Sequence, residues 1–368
     1  MSIVVTFGEE YRGVRLDVAL TEVLADKHAP FAGASRSQVQ QLIAAGGVTL
    51  GSAVPKKNRL LSGGERVLVS LDVWAELARD RAQLMFQPHE FPYSIPVLYE
   101  DGSLLVIDKP AGVMVHPVPG QNEPTVVDYL KAHSFTLAET SDALKPGIVH
   151  RLDRGTSGLL LVAKDPRTHS RLQEALERRQ VAKYYLALTL GGPLPEQARW
   201  EFHLARHPRH RELFTVAPQG RYSLTYCRVL AQNPLCAFLL LRIVTGRTHQ
   251  IRVHLKQQGH VVIGDTEYGR GPTNELRRFL GGSGDRTLRR AWSEAVPDAA
   301  FRERLGAALA ACPGMFLHAY SLSLAHPVTG ETLTLRAEPP QYFADWLSRF
   351  SWRAPEPPTG LQPVEAKL

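Results

Sequence analysis

The sequence has few cysteines and no long apolar run, and each shortage excludes a class of protein. Its three cysteines are scattered and odd in number, so they indicate neither a disulfide framework nor a zinc site. No stretch reaches the ~18 uninterrupted apolar residues of a membrane span. The N-terminus also lacks the charged start and apolar run of a signal peptide. We therefore expect a cytoplasmic protein that does not enter a membrane.

Several common catalytic motifs are missing as well. His249 and His254 are five residues apart, whereas the helical zinc motif places two histidines four apart with a glutamate between them. In a strand, the spacing in "HQIRVH" would put these histidines on opposite faces. "GTSGLL" is not the Gly-x-Ser-x-Gly nucleophile elbow, and "GGSGD" lacks the lysine of a phosphate-binding loop. Metal, nucleotide and serine-hydrolase chemistry are therefore disfavoured.

Positive charge is in modest excess and partly clustered. Lysine and arginine exceed the acidic residues by 43 to 36, which gives a formal charge of +7. Such an excess indicates polyanion binding only where it is clustered, and a solvated face is the alternative. Clusters occur at a predicted helix start, in a predicted turn and in "HLARHPRHREL". The predicted RNA contacts are Arg36, Lys56, Lys57, Arg206, Arg209 and Arg211.

The chain is too long for one small core, and its pattern divides it into parts. Residues 11–71 predict a small domain with a helix pair and short strands. Residues 72–94 form a linker rich in proline and aromatic residues towards its end. Residues 95–350 form the largest domain, in which 271–313 is an expected insertion with its own helices. Residues 351–368 predict a disordered, proline-rich tail.

The stretch "GIVHRLDRGTSGLLLVAK" encloses a charged turn in apolar residues. Asp153 lies between Arg151 and Arg154, and the flanking residues predict two buried strands. Charges at the edge of a core need partners, so a purely structural ion pair is one interpretation. The other is a carboxylate that an arginine keeps ionised for use as a nucleophile or base. A glycosidase would need a second carboxylate, but Asp165 is a predicted helix N-cap.

A second basic segment, "LLLRIVTGRTHQIRVHL", offers a partner for that carboxylate. Arg252 stands between Ile251 and Val253. If the segment is a strand, the arginine faces away from both apolar neighbours and either reaches solvent or pairs inside a cleft. The spacing alone leaves this choice open.

Longer blocks of the sequence resemble two known families. "HRLDRGTSGLLLVAK", "TGRTHQIRVHL", "IGDTEYG" and "LHAYSLSLAHPVTGE", preceded by "DKPAGVMVHP", resemble the signature blocks of RluA-type pseudouridine synthases. "SRSQVQQLIAAGGVTL" and "LLSGGERVLV" resemble an S4 domain. The resemblance implies an α+β fold. Its catalytic domain would have a mixed, mainly antiparallel sheet with flanking helices, beside a small S4-like α/β RNA-binding domain.

The same resemblance implies roles for individual residues. Asp153 matches the catalytic aspartate, and Arg252 matches the arginine that pairs with it. Tyr185 matches the active-site tyrosine that stacks on uracil, with Tyr184 as the adjacent alternative. Arg151 matches the arginine that fills the gap left by a flipped base. Leu317 matches the residue that forms the apolar side of the pocket.

The function implied by the resemblance is the isomerisation of specific uridines to pseudouridine in structured RNA. It needs no cofactor and no metal, and we expect a cytoplasmic monomer. Large-subunit ribosomal RNA is the expected substrate, because an S4-like domain accompanies this catalytic type, and transfer RNA is the alternative. Two other functions stay open: a non-catalytic RNA-binding factor in ribosome assembly, and a hydrolytic glycosylase that would release free uracil.

Overall fold

The computed structural model describes most of the chain as two compact units. The residues described are 1–27, 31, 34, 36–51, 53–84, 91–118, 123–140, 142, 144–191, 193–210, 212–296 and 298–356. Two predictions from the sequence, the RNA contact at Arg211 and the disorder of residues 357–368, lie outside the described residues. No helix within these ranges combines the length and apolar character needed to cross a membrane.

The first unit groups the described residues of 1–90, 116–135 and 139–146. Its antiparallel sheet has the order β1–β3–β2, with β1 Ser2–Thr6, β2 Val48–Thr49 and β3 Arg66–Ser70. A 3-10 turn spans Glu9–Tyr11, and the helices are α1 Leu16–Lys27, α2 Arg36–Ala44, α3 Leu71–Leu84 and α4 Val126–Ala132. Because β1 pairs with β3 along its whole length, this sheet begins before residue 11, where the sequence analysis starts the S4-like domain.

The second unit is built on an 11-stranded sheet. Its strands are β4 Val97–Glu100, β5 Leu104–Lys109, β6 Ser157–Ala163, β7 Ala182–Leu190, β8 Gln197–Arg206, β9 Phe214–Val216, β10 Arg221–Gln232, β11 Cys236–Ile243, β12 Val261–Val262, β13 Leu317–Ala325 and β14 Thr332–Arg336. They follow the order β4–β5–β6–β13–β7–β11–β10–β8–β9, while β12 pairs with β7 and β14 with β13. Strands β6 and β13 are parallel, and the other described pairs are antiparallel. The predicted mixed, mainly antiparallel sheet is confirmed.

Six helices complete this unit within the described residues. They are α5 Pro166–Glu177, α6 Gln250–Gln257, α7 Arg270–Leu280, α8 Arg286–Ser293, α9 Ala299–Ala311 and α10 Gln341–Arg349. Helices α7, α8 and α9 occupy the predicted insertion and contribute Phe279, Trp292 and Leu309 to the main core, so the insertion is part of the packed unit. Asp165 caps α5, as predicted, because its carboxylate accepts the N–H of Thr168.

The interpretation of "HQIRVH" as a strand is wrong, because Gln250–Gln257 is helical. The buried side chain of Gln250 accepts the N–H of Arg247 and the hydroxyl of Thr245, and this closes a turn directly after β11. His249 takes a left-handed backbone conformation, φ 56°, and starts the helix. The segment therefore reverses direction after the sheet, and Arg252 lies on the buried side of a short helix.

The central strands explain the continuous apolar runs of the sequence. Every residue of β6, β7 and β11 is buried, which is typical of strands covered on both faces. At Gly158, φ is +107°, and a Cβ atom there would lie 2.3 Å from the carbonyl oxygen of Ala319. Only glycine therefore lets β6 approach β13 this closely, directly after the turn that carries Asp153.

Six residues assigned from the sequence to a disordered tail, 351–356, are described and make contacts. The ring of Trp352 stacks on Phe238, with 6.3 Å between the ring centroids and 7° between the planes. The backbone N–H of Trp352 donates to the carbonyl oxygen of Leu347. The hydroxyl of Tyr320 donates to the carbonyl oxygen of Pro355. The partly buried ring of Trp352 thus packs against the main core.

Candidate active site

Five residues singled out in the sequence analysis line one pocket of about 510 Å³ in the second unit. Asp153 and Arg151 come from the turn before β6, Tyr185 from β7, Arg252 from α6 and Leu317 from the start of β13. The sheet order places β6, β13 and β7 side by side, so residues far apart in sequence meet at one place.

Backbone contacts fix the turn that carries Asp153. Lys109 is fully buried, and its Nζ donates to the carbonyl oxygens of Val113, at 2.8 Å, and of Arg154, at 3.3 Å. Burial lowers the pKa of Lys109 to about 7, although the negative charge of Asp153 acts in the opposite direction and raises this pKa. The N–H of Gly112 donates to the carbonyl oxygen of Arg154. Lys109 therefore joins the end of β5 to the turn, a role that its place in "DKPAG" did not reveal.

Arg252 is the arginine that contacts Asp153. Its Nη1 donates to Asp153 Oδ2 at 3.1 Å, and Asp153 remains 17% exposed to the pocket. Its Nε and Nη2 bind the two carboxylate oxygens of Asp265 at 2.7 and 2.8 Å, and Nη2 also donates to Glu267. The guanidinium carbon lies 4.7 Å from the ring centroid of Tyr268. Arg252 thus pairs inside a cleft, which settles the choice that spacing left open.

The carboxylate of Asp265 holds Arg252 in this orientation. Asp265 is 1% exposed and accepts the backbone N–H groups of Glu267 and Tyr268, both at 2.9 Å, besides the guanidinium. Burial alone would raise the pKa of Asp265, but the hydrogen bonds and charge of Arg252 outweigh it and lower the pKa. Burial would likewise lower the pKa of Arg252, and its acidic neighbours raise it. Both groups are therefore charged, and the bidentate pair fixes the guanidinium plane.

Tyr185 and Tyr184 point to opposite faces of β7, as neighbours in a strand do. Tyr185 lines the pocket, whereas Tyr184 is 1% exposed and belongs to the main core. Burial, followed by the charge of Asp153, raises the pKa of Tyr185, so its phenol is neutral. The geometry favours Tyr185 over Tyr184 as the aromatic face of the pocket.

His249 is a further pocket residue that the sequence analysis did not select. The hydroxyl of Tyr268 accepts the N–H of Phe214 and forms a hydrogen bond with His249 Nδ1, at 2.9 Å. The other ring nitrogen, Nε2, lies 3.9 Å from Asp153 Oδ1. Burial lowers the pKa of His249, in agreement with a neutral ring.

Comparisons with known proteins identify the family. Residues 103–257 match the family described as RNA pseudouridylate synthase. An RNA pseudouridine synthase of Synechocystis, described as uncharacterized, is 34% identical over 347 residues, 93% of this chain and 91% of that protein. The ribosomal large subunit pseudouridine synthase D of Vibrio cholerae is 33% identical over 342 residues, 91% of this chain and 90% of that protein. This chain belongs to the RNA pseudouridylate synthase family.

A solved structure agrees at the level of the fold. Human RNA pseudouridylate synthase domain containing 4 has a TM-score of 0.51 and 22% identity, covering 76% of this chain and 98% of that one. The predicted family, the α+β fold and the class of enzyme, an RNA pseudouridine synthase, are confirmed. RNA is therefore the substrate class of this synthase. The S4-like nature of residues 11–71 stays a prediction.

The predicted RNA contacts outside the pocket differ in exposure and in the partners that the structure shows for them. In the first unit, Arg36 donates two hydrogen bonds, both 3.0 Å, to the fully buried carboxylate of Asp17, and Lys57 donates to Gln40. Lys56 of that unit is exposed. In the second unit, Arg206 and Arg209 are exposed, and the guanidinium of Arg206 lies 5.5 Å from the ring centroid of Phe214. Arg36 therefore has a structural partner, and a role of these residues in RNA binding stays a prediction.

Lys183 is a buried cation of the pocket, and its burial predicts a stability effect. It is 9% exposed, and burial lowers its pKa from 10.5 to about 8. Between these pH values the unfolded chain binds more protons than the folded one, so this lysine makes stability rise with pH. We expect Lys183→Met to be more stable than the natural chain at pH 7, by up to about 3 kcal/mol.

The gain from Lys183→Met should shrink as the pH rises from 8 to 10.5, because the lysine that it replaces loses its charge there. Urea unfolding at pH 7, 9 and 10.5 measures this difference. Lys256→Met, at an exposed position of α6, is the control and should give no gain. Equal stability of the Lys183 variant and the natural chain at pH 7 would contradict the prediction.

Proposed function

We propose that this synthase isomerises uridine to pseudouridine in large-subunit ribosomal RNA, with Asp153 as the nucleophile. The ion pair of Asp153 with a buried, doubly anchored Arg252 is the observation that supports the catalytic role. The ribosomal substrate is supported by similarity over at least 90% of both chains to the Vibrio cholerae enzyme named for that RNA. This similarity favours ribosomal over transfer RNA.

The proposed reaction rearranges one bond of the nucleotide without a net change of atoms. A carboxylate oxygen of Asp153 attacks either the sugar carbon C1′ or a ring carbon, and the bond from C1′ to N1 breaks with its electron pair remaining on the uracil. The uracil turns within the pocket, and its C5 forms the new bond to C1′. The proton on C5 leaves, N1 regains a proton, and Asp153 is released as a carboxylate.

The other pocket residues suit a nucleotide that has left the RNA stack. Extrusion of a base costs a few kcal/mol. The ring of Tyr185 and the buried Leu317 offer two apolar surfaces for the uracil, and a base–aromatic stack contributes roughly 1–3 kcal/mol. Arg151 is exposed at the pocket and has no acidic partner among the described residues, so it is free to occupy the gap in the RNA.

We further propose that the enzyme acts as a monomer in the cytoplasm. The proposed catalytic and substrate-binding residues of a single chain line one pocket together, which supports a monomer. A protein that modifies ribosomal RNA would meet its substrate in the cytoplasm. The relatives named for the large ribosomal subunit support this location.

Mapping of pseudouridine in total RNA tests the proposed substrate. We expect cells without this gene to lose one or a few pseudouridines in large-subunit ribosomal RNA, as detected by carbodiimide-stop sequencing. The natural gene should restore them, and so should a control variant, Lys256→Met, at an exposed position. Marks lost from transfer RNA would contradict the ribosomal assignment, and release of free uracil would contradict the isomerisation.

A further inference from the structure

Three arginines that the mechanism does not use lie together along one side of the pocket. Arg179 follows α5, Arg221 begins β10, and Arg247 lies in the turn between β11 and α6. Within the described residues, none of them has a carboxylate at salt-bridge distance. Burial, and then the charges of Arg221 and Arg179, lower the pKa of Arg247, so both of these groups lie near enough to Arg247 to repel it. Like charges held together without a counterion are typical of a site for an anion.

Tyr222 contacts two of the three arginines. The guanidinium carbon of Arg179 lies 5.6 Å from the ring centroid of Tyr222, and the Nε of Arg247 donates to the Tyr222 carbonyl oxygen at 2.9 Å. Arg221 precedes Tyr222 in β10 and lines the same pocket as the other two arginines. The Tyr222 hydroxyl donates to Glu201, whose carboxylate also pairs with Arg199. The carboxylate of Glu201 is thus already engaged. Glu177 also lines the pocket, but within the described residues it is not at salt-bridge distance from any of the three arginines.

The backbone at Arg179 adds a second observation. Helix α5 ends in a Schellman motif, in which the N–H of Gln180 donates to Ala175 and that of Arg179 donates to Leu176. The position of Arg179 in this motif is usually glycine, because its backbone is left-handed, and here φ is 59°. A side chain that occupies a strained glycine position and reaches a pocket suggests a functional use.

Lys183 supplies an independent sign that an anion binds here. Its ammonium faces the pocket from β7, lies 3.5 Å from where a Cβ atom on Gly246 would be, and has no hydrogen-bond acceptor in the part of the chain that the structure describes. Gly246 directly precedes Arg247. An ammonium that faces the pocket beneath the same turn, with no acceptor from the described part of the protein, is available to an anion that enters the pocket.

We propose that Arg179, Arg221 and Arg247 form a subsite for one phosphodiester group of the RNA, next to the uridine that enters the pocket. The inference rests on the proposed function. A phosphodiester carries one negative charge on two free oxygens, which guanidinium groups bind in a fork. The subsite holds the charged backbone at the rim of the pocket, while the uncharged base reaches Asp153 without bringing a second anion beside it.

Simultaneous replacement of Arg179, Arg221 and Arg247 by glutamine tests the subsite. These three positions are called the rim positions, and the triple glutamine variant is called the rim variant. The RNA is labelled large-subunit ribosomal RNA from cells without the gene, and filter binding measures its affinity over a range of salt concentrations. We expect about tenfold weaker binding and a salt dependence smaller by about 0.7–0.9 in logarithmic slope, the change for one phosphate. Each single change should cost nearly as much as all three, because the groups share one ligand. Three separate surface contacts would instead give additive losses and a slope change of about 2–3.

Two control variants distinguish a specific subsite from a general effect of positive charge. Glutamine at Arg286, Arg289 and Arg290, three exposed arginines of α8, removes the same charge elsewhere and should change affinity less than the rim variant. Lysine at the three rim positions keeps the charge but not the guanidinium fork, and we expect intermediate affinity. Equal losses at the rim and on α8 would overturn the subsite.

The outcomes separate the subsite from the proposed reaction. Unchanged affinity and slope in the rim variant would overturn the subsite, whatever the activity of the natural enzyme. Weaker binding by the rim variant, with no pseudouridine formed by the natural enzyme, would leave the subsite and overturn the function. Calorimetry with inorganic phosphate identifies the source of the anion. If the rim variant loses phosphate binding but keeps full RNA affinity, the ligand is a free anion and the assignment to RNA is wrong.

Discussion

Replacement of Asp153 by asparagine is expected to abolish pseudouridine formation, with kcat reduced by roughly 10⁴-fold or more, as for the loss of other catalytic nucleophiles. Asparagine has nearly the same shape and keeps an oxygen that can accept the 3.1 Å hydrogen bond from Arg252. It has no negative charge, however, and its amide oxygen is a poor nucleophile. The turn itself should keep its place, because Lys109 holds it through backbone carbonyl oxygens.

The measurement for Asp153→Asn combines activity with RNA affinity. We expect the affinity to stay close to that of the natural enzyme, because the change leaves the arginines of the pocket intact. Asp165→Asn is the matched control, since Asp165 lies on the same chain twelve residues later and caps α5 outside the pocket. This control should keep nearly full activity and lose at most about 1 kcal/mol of stability. Activity of Asp153→Asn comparable to that of the control would rule out Asp153 as the nucleophile.

The sequence pattern predicted the sheet better than it predicted the helix beside the active site. Apolar runs such as "SGLLLVA" are long and uninterrupted, and β6 is accordingly buried along its whole length. The segment after β11 has no such clear signal. Its helix starts through a buried hydrogen bond between the side chains of Thr245 and Gln250, and single-residue periodicity does not reveal this contact.

In the site too, the local sequence predicted single residues but not their distant partners. Asp153 stood out because its neighbours in the chain made its charge conspicuous. Its partner is 99 residues away, and Asp265 adds a further link from beyond α6. Such a cluster depends on which strands and helices meet, so composition and spacing could not predict it. Asp265 and Glu267 lay within the block "IGDTEYG", but no local pattern assigned them to Arg252.

Replacement of Arg252 by methionine is expected to be strongly destabilising as well as inactivating. It would leave Asp265, which is 1% exposed, without the guanidinium that compensates its charge, and would leave Asp153 and Glu267 nearby. Removal of one partner of a buried ion pair typically costs about 3–5 kcal/mol. We expect a loss of this size in urea unfolding at pH 7, whereas Arg289→Met on the exposed face of α8 should change stability by less than about 0.5 kcal/mol.

The dependence of this loss on pH distinguishes an uncompensated charge from a simple packing defect. In the natural chain the pKa of Asp265 is lowered, so its contribution to stability is present above the unfolded value of 3.8 and is lost as the pH falls through the folded value. In the variant, burial without Arg252 should raise this pKa, and the folded state then gains stability as the carboxylate is protonated. The difference in stability should therefore be largest near neutral pH and narrow towards pH 4.

A second substitution in the same chain tests whether the uncompensated charge causes the loss of stability. If an uncompensated carboxylate causes the loss, Asp265→Asn in the Arg252→Met background should recover part of the stability at pH 7, because it removes the remaining buried charge. It should recover no activity, since Asp153 would still lack the cation that orients it. A loss that is independent of pH, and that the second substitution leaves unchanged, would mean that Arg252 stabilises the fold through packing rather than through charge.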